Sequence, residues 1–267
     1  MKGKKSDKEN KSKKIEIKIK KETESKQFSI EDNEDISENE YDPKIDPEHI
    51  VIFDCELDSI DEFKAVDLIY LVDTTGSMNC YLKGVKKLMR KIMWDIQKCL
   101  SQFLFDELDL LKVGIVSYKD HEDENKTYLT NVDIDLTGNL KEVNNTIISL
   151  SCGGGKDEPE CVLDGLKTAI DNISWRKQSI KFIYHILDAP CHGKKYNNIE
   201  GDKFESCPNN IDVEQLFIKI RNKNINYCII KLNDSINMML QEFKKMINFE
   251  ILTPKIYYDK NDIMTQE

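Results

Sequence analysis

Hydrophobic runs and helical stripes take turns along the chain after residue 64. Residues 66–73 read V-D-L-I-Y-L-V-D and are apolar except for Asp67 and the final Asp73, which is typical of a strand buried on both faces of a parallel sheet. Residues 77–105 instead place apolar side chains at i, i+3, i+4 and i+7. That period predicts a long helix packed on the sheet.

The same alternation continues to residue 252. Further strands are predicted at residues 111–118, 128–136, 179–187, 225–232 and 249–252. Further helices are predicted at residues 140–150, 159–173, 213–223 and 236–247. Pro159 suits the first turn of its helix because its missing N–H would have no partner there.

This order of elements predicts an α/β fold. The polar tract 122–126 indicates a hairpin, so the strand after it is expected at an antiparallel edge. Alternating strands and helices with right-handed crossovers give a doubly wound, mostly parallel sheet of about six strands, flanked by helices.

Composition and charge divide the chain into three parts. Hydrophobic residues make up 39%, below the usual ~45–50%, so part of the chain is not expected to pack. Residues 1–26 hold eleven Lys and five acids, whereas residues 27–64 hold two Lys and fourteen acids. We therefore predict a disordered tail over residues 1–64, basic and then acidic, a folded domain over 65–256, and a C-terminal tail over 257–267.

No apolar run reaches ~18 residues and no secretory signal is evident, so a cytoplasmic protein is expected, or a nuclear one through its Lys-rich start. The folded part, with 26 Lys/Arg and 30 Asp/Glu in residues 65–267, is not expected to bind nucleic acid.

Eight cysteines without a C-x-x-C pair are expected to be thiols. A zinc site of Cys191, His192 and Cys207 is disfavoured because its spacing matches no common pattern.

Hard oxygen donors follow two of the predicted central strands. Asp73 ends the first strand and is followed by Thr75 and Ser77, while Asp188 ends the strand at 179–187. If these two strands are neighbours, the strand order reverses between them and leaves a crevice at their carboxyl ends. Carboxylates and hydroxyls meeting there can hold one small hard cation.

The tract D-T-T-G-S-M (residues 73–78) resembles the D-x-S/T-x-S motif of von Willebrand factor A domains, whose metal-ion-dependent adhesion site (MIDAS) binds Mg²⁺ or another divalent ion. The tracts G-G-G-K-D-E-P-E (153–160) and H-I-L-D-A-P-C-H-G (185–193) extend the likeness. Over about residues 65–254 the chain is most similar to the A domains of protist alpha-type protein kinases. No stretch resembles a kinase catalytic segment.

The resemblance implies a Rossmann-like fold and a ligand set for Mg²⁺, or for Mn²⁺ or Ca²⁺. Asp73, Thr75 and Ser77 match the motif, and both hydroxyls are implied to ligate the metal. Asp188 matches the acid that usually acts through water. The family's middle-loop threonine has no counterpart, because Asp157 or Glu158 stands there, and Asp157 is our choice. Three acids would hold a divalent ion tightly and weaken its attraction for an acidic partner.

Each of these residue types also has an ordinary structural use. Asp73 and Asp188 could cap helices, and Thr75 and Ser77 could fill turns. His185, inside an apolar strand, is expected to be a satisfied core histidine rather than a base. Rim or second-layer positions are assigned to five residues, which could equally be solvated: Asp120, His121, Glu158, Cys191 and His192.

The function that the resemblance implies is a stand-alone module that binds a protein partner through its metal-site face, as an adaptor in an intracellular complex or a kinase-linked pathway. No catalysis is expected, since no nucleophile and base pair stands at recognisable spacing. A Mg²⁺-dependent phosphotransferase or hydrolase of haloacid-dehalogenase type is the alternative, although Thr75 occupies the place of its second aspartate. A metal-free scaffold is the third interpretation.

Overall fold

The computed structural model of this protein describes residues 18–20, 52–54, 65–101, 110–121 and 128–254. Two short strands, β1 (Lys18–Lys20) and β2 (Ile52–Asp54), pair antiparallel within the predicted N-terminal tail. The rest of that tail and the predicted C-terminal tail lie outside the described residues. Their disorder therefore stays a prediction.

One sheet of six strands organises the domain. Its strands are β3 (Val66–Asp73), β4 (Leu111–Tyr118), β5 (Thr130–Thr137), β6 (Ile180–Leu187), β7 (Ile225–Lys231) and β8 (Glu250–Leu252). The helices are α1 (Asn79–Ser101), α2 (Leu140–Ser149), α3 (Val162–Asp171), α4 (Val213–Asn222) and α5 (Asn237–Lys244). The strand order is β5-β4-β3-β6-β7-β8, and only β5 runs antiparallel to its neighbour. The predicted fold class is confirmed, including the antiparallel edge strand.

The central strand β3 is buried on both faces, as its apolar run predicts. Leu68 and Tyr70 pack in the core that α1 and α2 cover. Ile69 and Leu71 pack in the opposite core, beneath α3, α4 and α5. Because successive side chains point to opposite faces of a strand, an unbroken apolar run is what a sheet covered on both sides requires.

The polar exception in this strand, Asp67, holds the amino end of the sheet together. Its fully buried carboxylate accepts hydrogen bonds from Arg176 Nε at 2.6 Å, from Ser179 Oγ at 2.6 Å and from the backbone N–H of Arg176 at 2.9 Å. A buried carboxylate is tolerated when it is paired and hydrogen-bonded in this way. This ion pair lies at the opposite end of β3 from Asp73.

Two predicted helix boundaries differ from the structure. A 3₁₀ turn (Gly76–Met78) precedes α1, and the predicted end of that helix lies outside the described residues. Helix α3 begins at Val162, so the predicted start at Pro159 is wrong. The cause is tertiary, because Glu160 forms an isolated parallel bridge with Cys191 and its N–H donates to Pro190 O at 2.9 Å. No helix in the described ranges is long and apolar enough to cross a membrane.

Candidate metal centre

The carboxyl ends of β3 and β6 bring Asp73 and Asp188 to the same edge of the sheet. The two strands pair in parallel from Val66 opposite Ile180 to Val72 opposite Ile186. From this pair, β4 and β5 continue the sheet on one side and β7 and β8 on the other. The strand order therefore reverses between β3 and β6, where a crevice is expected in open α/β sheets.

Asp73 is held in a fixed orientation by the turn that follows it. Its Oδ1 atom accepts the backbone N–H of Thr75 at 2.9 Å and the Thr75 hydroxyl at 2.6 Å. Its Oδ2 atom is buried and makes no hydrogen bond with the described part of the chain. One oxygen thus fixes the carboxylate while the other remains available as a ligand.

Ser77 links this turn to β6. Its hydroxyl donates to Asp188 Oδ1 at 3.2 Å and lies 3.4 Å from Thr75 Oγ1. Asp188 does not cap a helix, because the cap of α4 is Asp212, and Thr75 makes no side-chain cap at the 3₁₀ turn. The cavity beside this group measures about 540 Å³. Its lining includes Gly76, Ser77, Gly154, Gly155, Lys156, Asp157, Glu158, Glu160, Asp188, Ala189 and Asn233.

The glycine-rich loop packs directly on the Asp73 turn. The N–H of Gly76 donates to Gly154 O at 2.9 Å, and the N–H of Gly153 donates to Thr74 O at 3.0 Å. A Cβ atom at Gly76 would stand 2.9 Å from Gly154 O, so a side chain has no room there. The ammonium of Lys119 joins the same loops by donating to Thr74 O and Gly153 O. The two loops are therefore one packed unit.

The structure adds an acid that the sequence interpretation did not select, Glu160. It is 3% exposed, and its buried Oε2 makes no hydrogen bond with any described residue. Its other oxygen, Oε1, lies close to Gly155. A Cβ atom added to Gly155 would stand 2.8 Å from this oxygen, and the backbone φ of Gly155 is +74°. Burial, followed by the charges of Asp73 and Asp120, raises the pKa of Glu160 to about 11. Metal-free Glu160 is therefore a neutral acid at pH 7.

Asp157, the ligand chosen from the sequence, also borders the cavity but points to a different group. Its Oδ2 accepts a hydrogen bond from the backbone N–H of Lys203 at 3.2 Å, and its carboxylate lies near the carboxylate of Asp202 and the ring of His192. Glu158 is exposed on the cavity wall. Of the three acids in this tract, Glu160 is the one buried beside Asp73. Ligation by Asp157 stays a prediction.

The site concentrates negative charge in a buried place. Burial and the charge of Asp188 raise the pKa of Asp73 to about 7, and burial raises the pKa of Asp188 itself. Like charges held close together out of water disfavour their own ionisation, and a cation reverses that effect. Two carboxyl oxygens without hydrogen-bond partners, from Asp73 and Glu160, a neighbouring hydroxyl and a third carboxyl group, that of Asp188, fit the oxygen donor set of Mg²⁺, Mn²⁺ or Ca²⁺.

Of the residues assigned to the rim, Asp120, Cys191 and His192 are buried, His121 is half-buried and Glu158 is exposed. His192 is 1% exposed, and its ring nitrogens lie 3.2 Å from Asp120 Oδ1 and 2.9 Å from Asp202 Oδ1. Burial lowers the pKa of His192, but these two carboxylates outweigh burial and raise it overall. His192 therefore ties the end of β4 to the 189–208 loop.

Two further predictions concern buried cysteines and histidines. Cys191 is buried, with its N–H donating to Met239 Sδ at 3.3 Å, and the trio Cys191, His192 and Cys207 does not form a cluster among the described residues. His185 is confirmed as a satisfied core histidine. Its ring nitrogens contact the hydroxyls of Tyr227 at 2.7 Å and Tyr118 at 3.0 Å, and burial lowers its pKa to about 3.

The strand order, the D-T-T-G-S turn after β3 and the acid after β6 match the arrangement of a von Willebrand factor A domain. Its sequence is 31% identical over 186 residues to "Alpha-protein kinase vwkA" of Dictyostelium discoideum. The match covers 70% of this chain and 27% of that protein. The chain thus spans about a quarter of the length of its relative. No family model matches the chain.

Solved structures of proximal thread matrix protein 1 from the mussel byssus are more remote. One superposes with a TM-score of 0.49 at 13% identity, and another, described as having a zinc-occupied MIDAS motif, with a TM-score of 0.47 at 14% identity. Each covers 73% of this chain and 43% of the mussel chain.

Proposed function

We propose that this chain is a divalent-metal-binding module for protein interaction. In the proposal the ion lies at the carboxyl ends of β3 and β6, held by Asp73, Ser77 and Glu160, with Asp188 acting directly or through a water. Thr75 orients Asp73 through its two hydrogen bonds. Mg²⁺ is the proposed ion, and Mn²⁺ and Ca²⁺ are its competitors.

The observation that carries this proposal is the pair of orphaned carboxyl oxygens. Asp73 Oδ2 and Glu160 Oε2 are both buried and make no hydrogen bond with the described residues. Buried polar atoms are rarely left unpartnered, because each costs about 1–3 kcal/mol. In the proposal, a divalent cation bound by Asp73 Oδ2, with the Glu160 carboxyl group turned towards it, removes that cost and offsets the repulsion among the three acids.

The charge of the site decides how a partner is bound. Asp73, Glu160 and Asp188 together carry three negative charges when ionised, which exceed the charge of one divalent ion. Such an ion attracts a partner's carboxylate weakly, so we propose that its main task is to hold the loops in place. The partner then contacts the exposed surface of these loops, which includes Lys156 and Glu158.

We propose no catalytic role. An adaptor in a kinase-linked pathway is the finer form of the proposal, and the likeness to part of a protein named as an alpha-protein kinase supports it. A cytoplasmic location, with the Lys-rich residues 1–26 available for nuclear import, belongs to the same proposal. Imaging of the full chain with and without residues 1–26 tests the location.

Two linked experiments test the function. Thermal unfolding of the full chain in EDTA and then in excess Mg²⁺ should show a raised midpoint in the wild type and none in Asp73→Ala. Proteins captured on the immobilised wild type in Mg²⁺ should be released by EDTA and absent from Asp73→Ala. A metal-dependent midpoint without metal-dependent capture would leave the metal site intact and overturn the interaction role.

A further inference from the structure

Three side chains from separate parts of the chain meet beside the 189–208 loop, and we name them the His121 cluster. His121 follows β4, Asp164 lies in the first turn of α3, and Cys207 belongs to the segment between β6 and α4. His121 Nε2 lies 3.2 Å from Asp164 Oδ2, and Cys207 Sγ lies 3.7 Å from the same oxygen. The cluster shares no residue with the site at β3 and β6.

These separations are those of ligands on one tetrahedral ion. Zinc is bound at ~2.0–2.1 Å by histidine nitrogen, ~2.0–2.2 Å by carboxylate oxygen and ~2.3 Å by thiolate sulfur. With tetrahedral angles, these lengths place nitrogen about 3.3 Å and sulfur about 3.5 Å from the shared oxygen. The distances of 3.2 Å and 3.7 Å in the cluster differ from these by 0.2 Å or less. An ion can enter with little movement of the side chains.

The surroundings hold each donor atom in place. Asn209 Nδ2 donates to Asp164 Oδ1 at 2.6 Å, which orients the carboxylate and leaves Oδ2 facing the cluster. The His121 side chain is 5% exposed, and its ring packs 5.5 Å from that of His192 and 5.8 Å from that of Phe204. A partner that fixes a ligand from behind is a regular feature of metal sites.

The orientation of the His121 ring is a second, independent observation. The buried Nε2 of His121 is close to Asp164 but is not aligned for a hydrogen bond with any described residue. The donor set of nitrogen, sulfur and oxygen also excludes Mg²⁺, which prefers oxygen alone.

We propose that the His121 cluster binds Zn²⁺ or a transition metal of similar preference. His121 Nε2, Cys207 Sγ and Asp164 Oδ2 supply three ligands, and a water completes the tetrahedron. Burial lowers the pKa of His121, but Asp164 and Cys207 outweigh burial and raise it to about 9, so the ring is protonated at pH 7. On binding, the ring of His121 and the thiol of Cys207 each release a proton to solvent. The ion fastens the 189–208 loop to β4 and α3, so that the domain carries a thiolate-containing site beside its oxygen-donor site.

Cobalt(II) is the probe, because it replaces zinc and reports its ligands. A thiolate ligand gives an intense thiolate-to-cobalt charge-transfer absorption in the near ultraviolet, which an all-oxygen site cannot produce. The full chain, stripped with a chelator and kept reduced, should develop this absorption with one equivalent of Co²⁺ and lose it on adding Zn²⁺. Absence of the absorption in the wild type would overturn the proposal and leave a hydrogen-bonded trio.

Matched variants locate the ion. The absorption should vanish in Cys207→Ser and persist in Cys99→Ser, which removes a thiol near the far end of α1. It should also persist in Asp73→Ala, so failure of the β3–β6 site leaves this test unaffected. Persistence in Cys207→Ser would assign the thiolate elsewhere, for instance to the neighbouring group of Asp120, Cys161 and His192, and would overturn the proposal.

A second variant covers the case in which Cys207→Ser does not fold. His121→Gln keeps a polar side chain in place but removes the imidazole, and the cysteine remains. We expect it to weaken Co²⁺ binding at least tenfold while its far-ultraviolet circular dichroism stays unchanged. An unchanged cobalt affinity in folded His121→Gln would contradict the proposed ligand set.

Discussion

Replacing Asp73 by asparagine separates the charge of this side chain from its shape. Asparagine keeps an oxygen that can accept both hydrogen bonds from Thr75, at 2.9 Å and 2.6 Å in the wild type. It cannot carry the negative charge that burial and Asp188 oppose. In the metal-free protein at pH 8 we therefore expect Asp73→Asn to be more stable than the wild type, although it removes the central residue of the site.

The size of this effect follows from the pKa of Asp73, which is raised from 3.8 to about 7. Between these values the folded protein binds a proton that the unfolded chain does not. The contribution of this proton to the stability of the folded protein is therefore complete below pH 3.8, falls as the pH rises, and is lost above about pH 7. At ~1.36 kcal/mol per pKa unit, the loss is about 4 kcal/mol. For a domain of this size that corresponds to roughly 8–16 °C in the unfolding midpoint.

Thermal unfolding of the full chain in EDTA, from pH 5 to pH 8, measures the effect. The wild-type midpoint should fall with pH more steeply than that of Asp73→Asn, and excess Mg²⁺ at pH 8 should restore it only in the wild type. Asp95→Asn is the matched control, because its carboxylate is partly exposed on α1 and pairs with Lys91. Parallel pH profiles for wild type and Asp73→Asn in EDTA would refute the reasoning.

Three further predictions concern the site, its frame and its chemistry. Glu160→Gln should leave the free energy of unfolding of the metal-free protein unchanged at pH 7, because Glu160 is already neutral there. In calorimetry it should weaken Mg²⁺ binding more than Asp157→Asn does. The reverse ranking of the two variants would support Asp157 as the ligand. Arg176→Met should lower the free energy of unfolding by about 3–5 kcal/mol, because it leaves the buried carboxylate of Asp67 without its ion-pair partner. The change in the unfolding midpoint on adding Mg²⁺ should stay the same, because Asp67 lies far from the metal site. Purified chain should show no Mg²⁺-dependent hydrolysis of an aryl phosphate, and turnover that Asp73→Asn abolishes would instead support the phosphotransferase alternative.

The centre of the sheet could be predicted because β3 and β6 are apolar runs that require burial on both faces. The last residue of β3 is Asp73, and Asp188 directly follows β6. Once these strands are neighbours, Asp73, Ser77 and Asp188 must meet at one edge. The 3₁₀ turn (Gly76–Met78), which contains Ser77, does not change this arrangement, because all the motif residues precede α1.

The third acid of the proposed site, Glu160, could not be chosen from the sequence, because its position depends on long-range backbone contacts. The tract 153–160 offers Asp157, Glu158 and Glu160 within four positions. The bridge from Glu160 to Cys191 and its hydrogen bond to Pro190 O extend the backbone there and turn Glu160 inward. The sequence signal that could have indicated this is the glycine at 155, whose missing side chain leaves room for the Glu160 carboxyl.

The burial of His121 and His192 was likewise decided by distant contacts. Each histidine contacts a carboxylate on another element. His121 contacts Asp164 on α3, and His192 contacts Asp120, which follows β4. Residue spacing alone does not reveal such pairs, because the partners are 43 and 72 positions away along the chain. The packing of α3 against β4 brings His121 and Asp164 together, and the packing of the 189–208 loop against the end of β4 brings His192 and Asp120 together.

The central claim is that a divalent ion binds between Asp73, Ser77, Glu160 and Asp188. A crystal structure of the full chain with Mn²⁺, with data collected at the manganese absorption edge, tests it most directly. We predict an anomalous peak within bonding distance of Asp73 Oδ2 and Ser77 Oγ, with Glu160 turned towards it. Crystals saturated with Mn²⁺ that show no peak at this edge of the sheet would contradict the account.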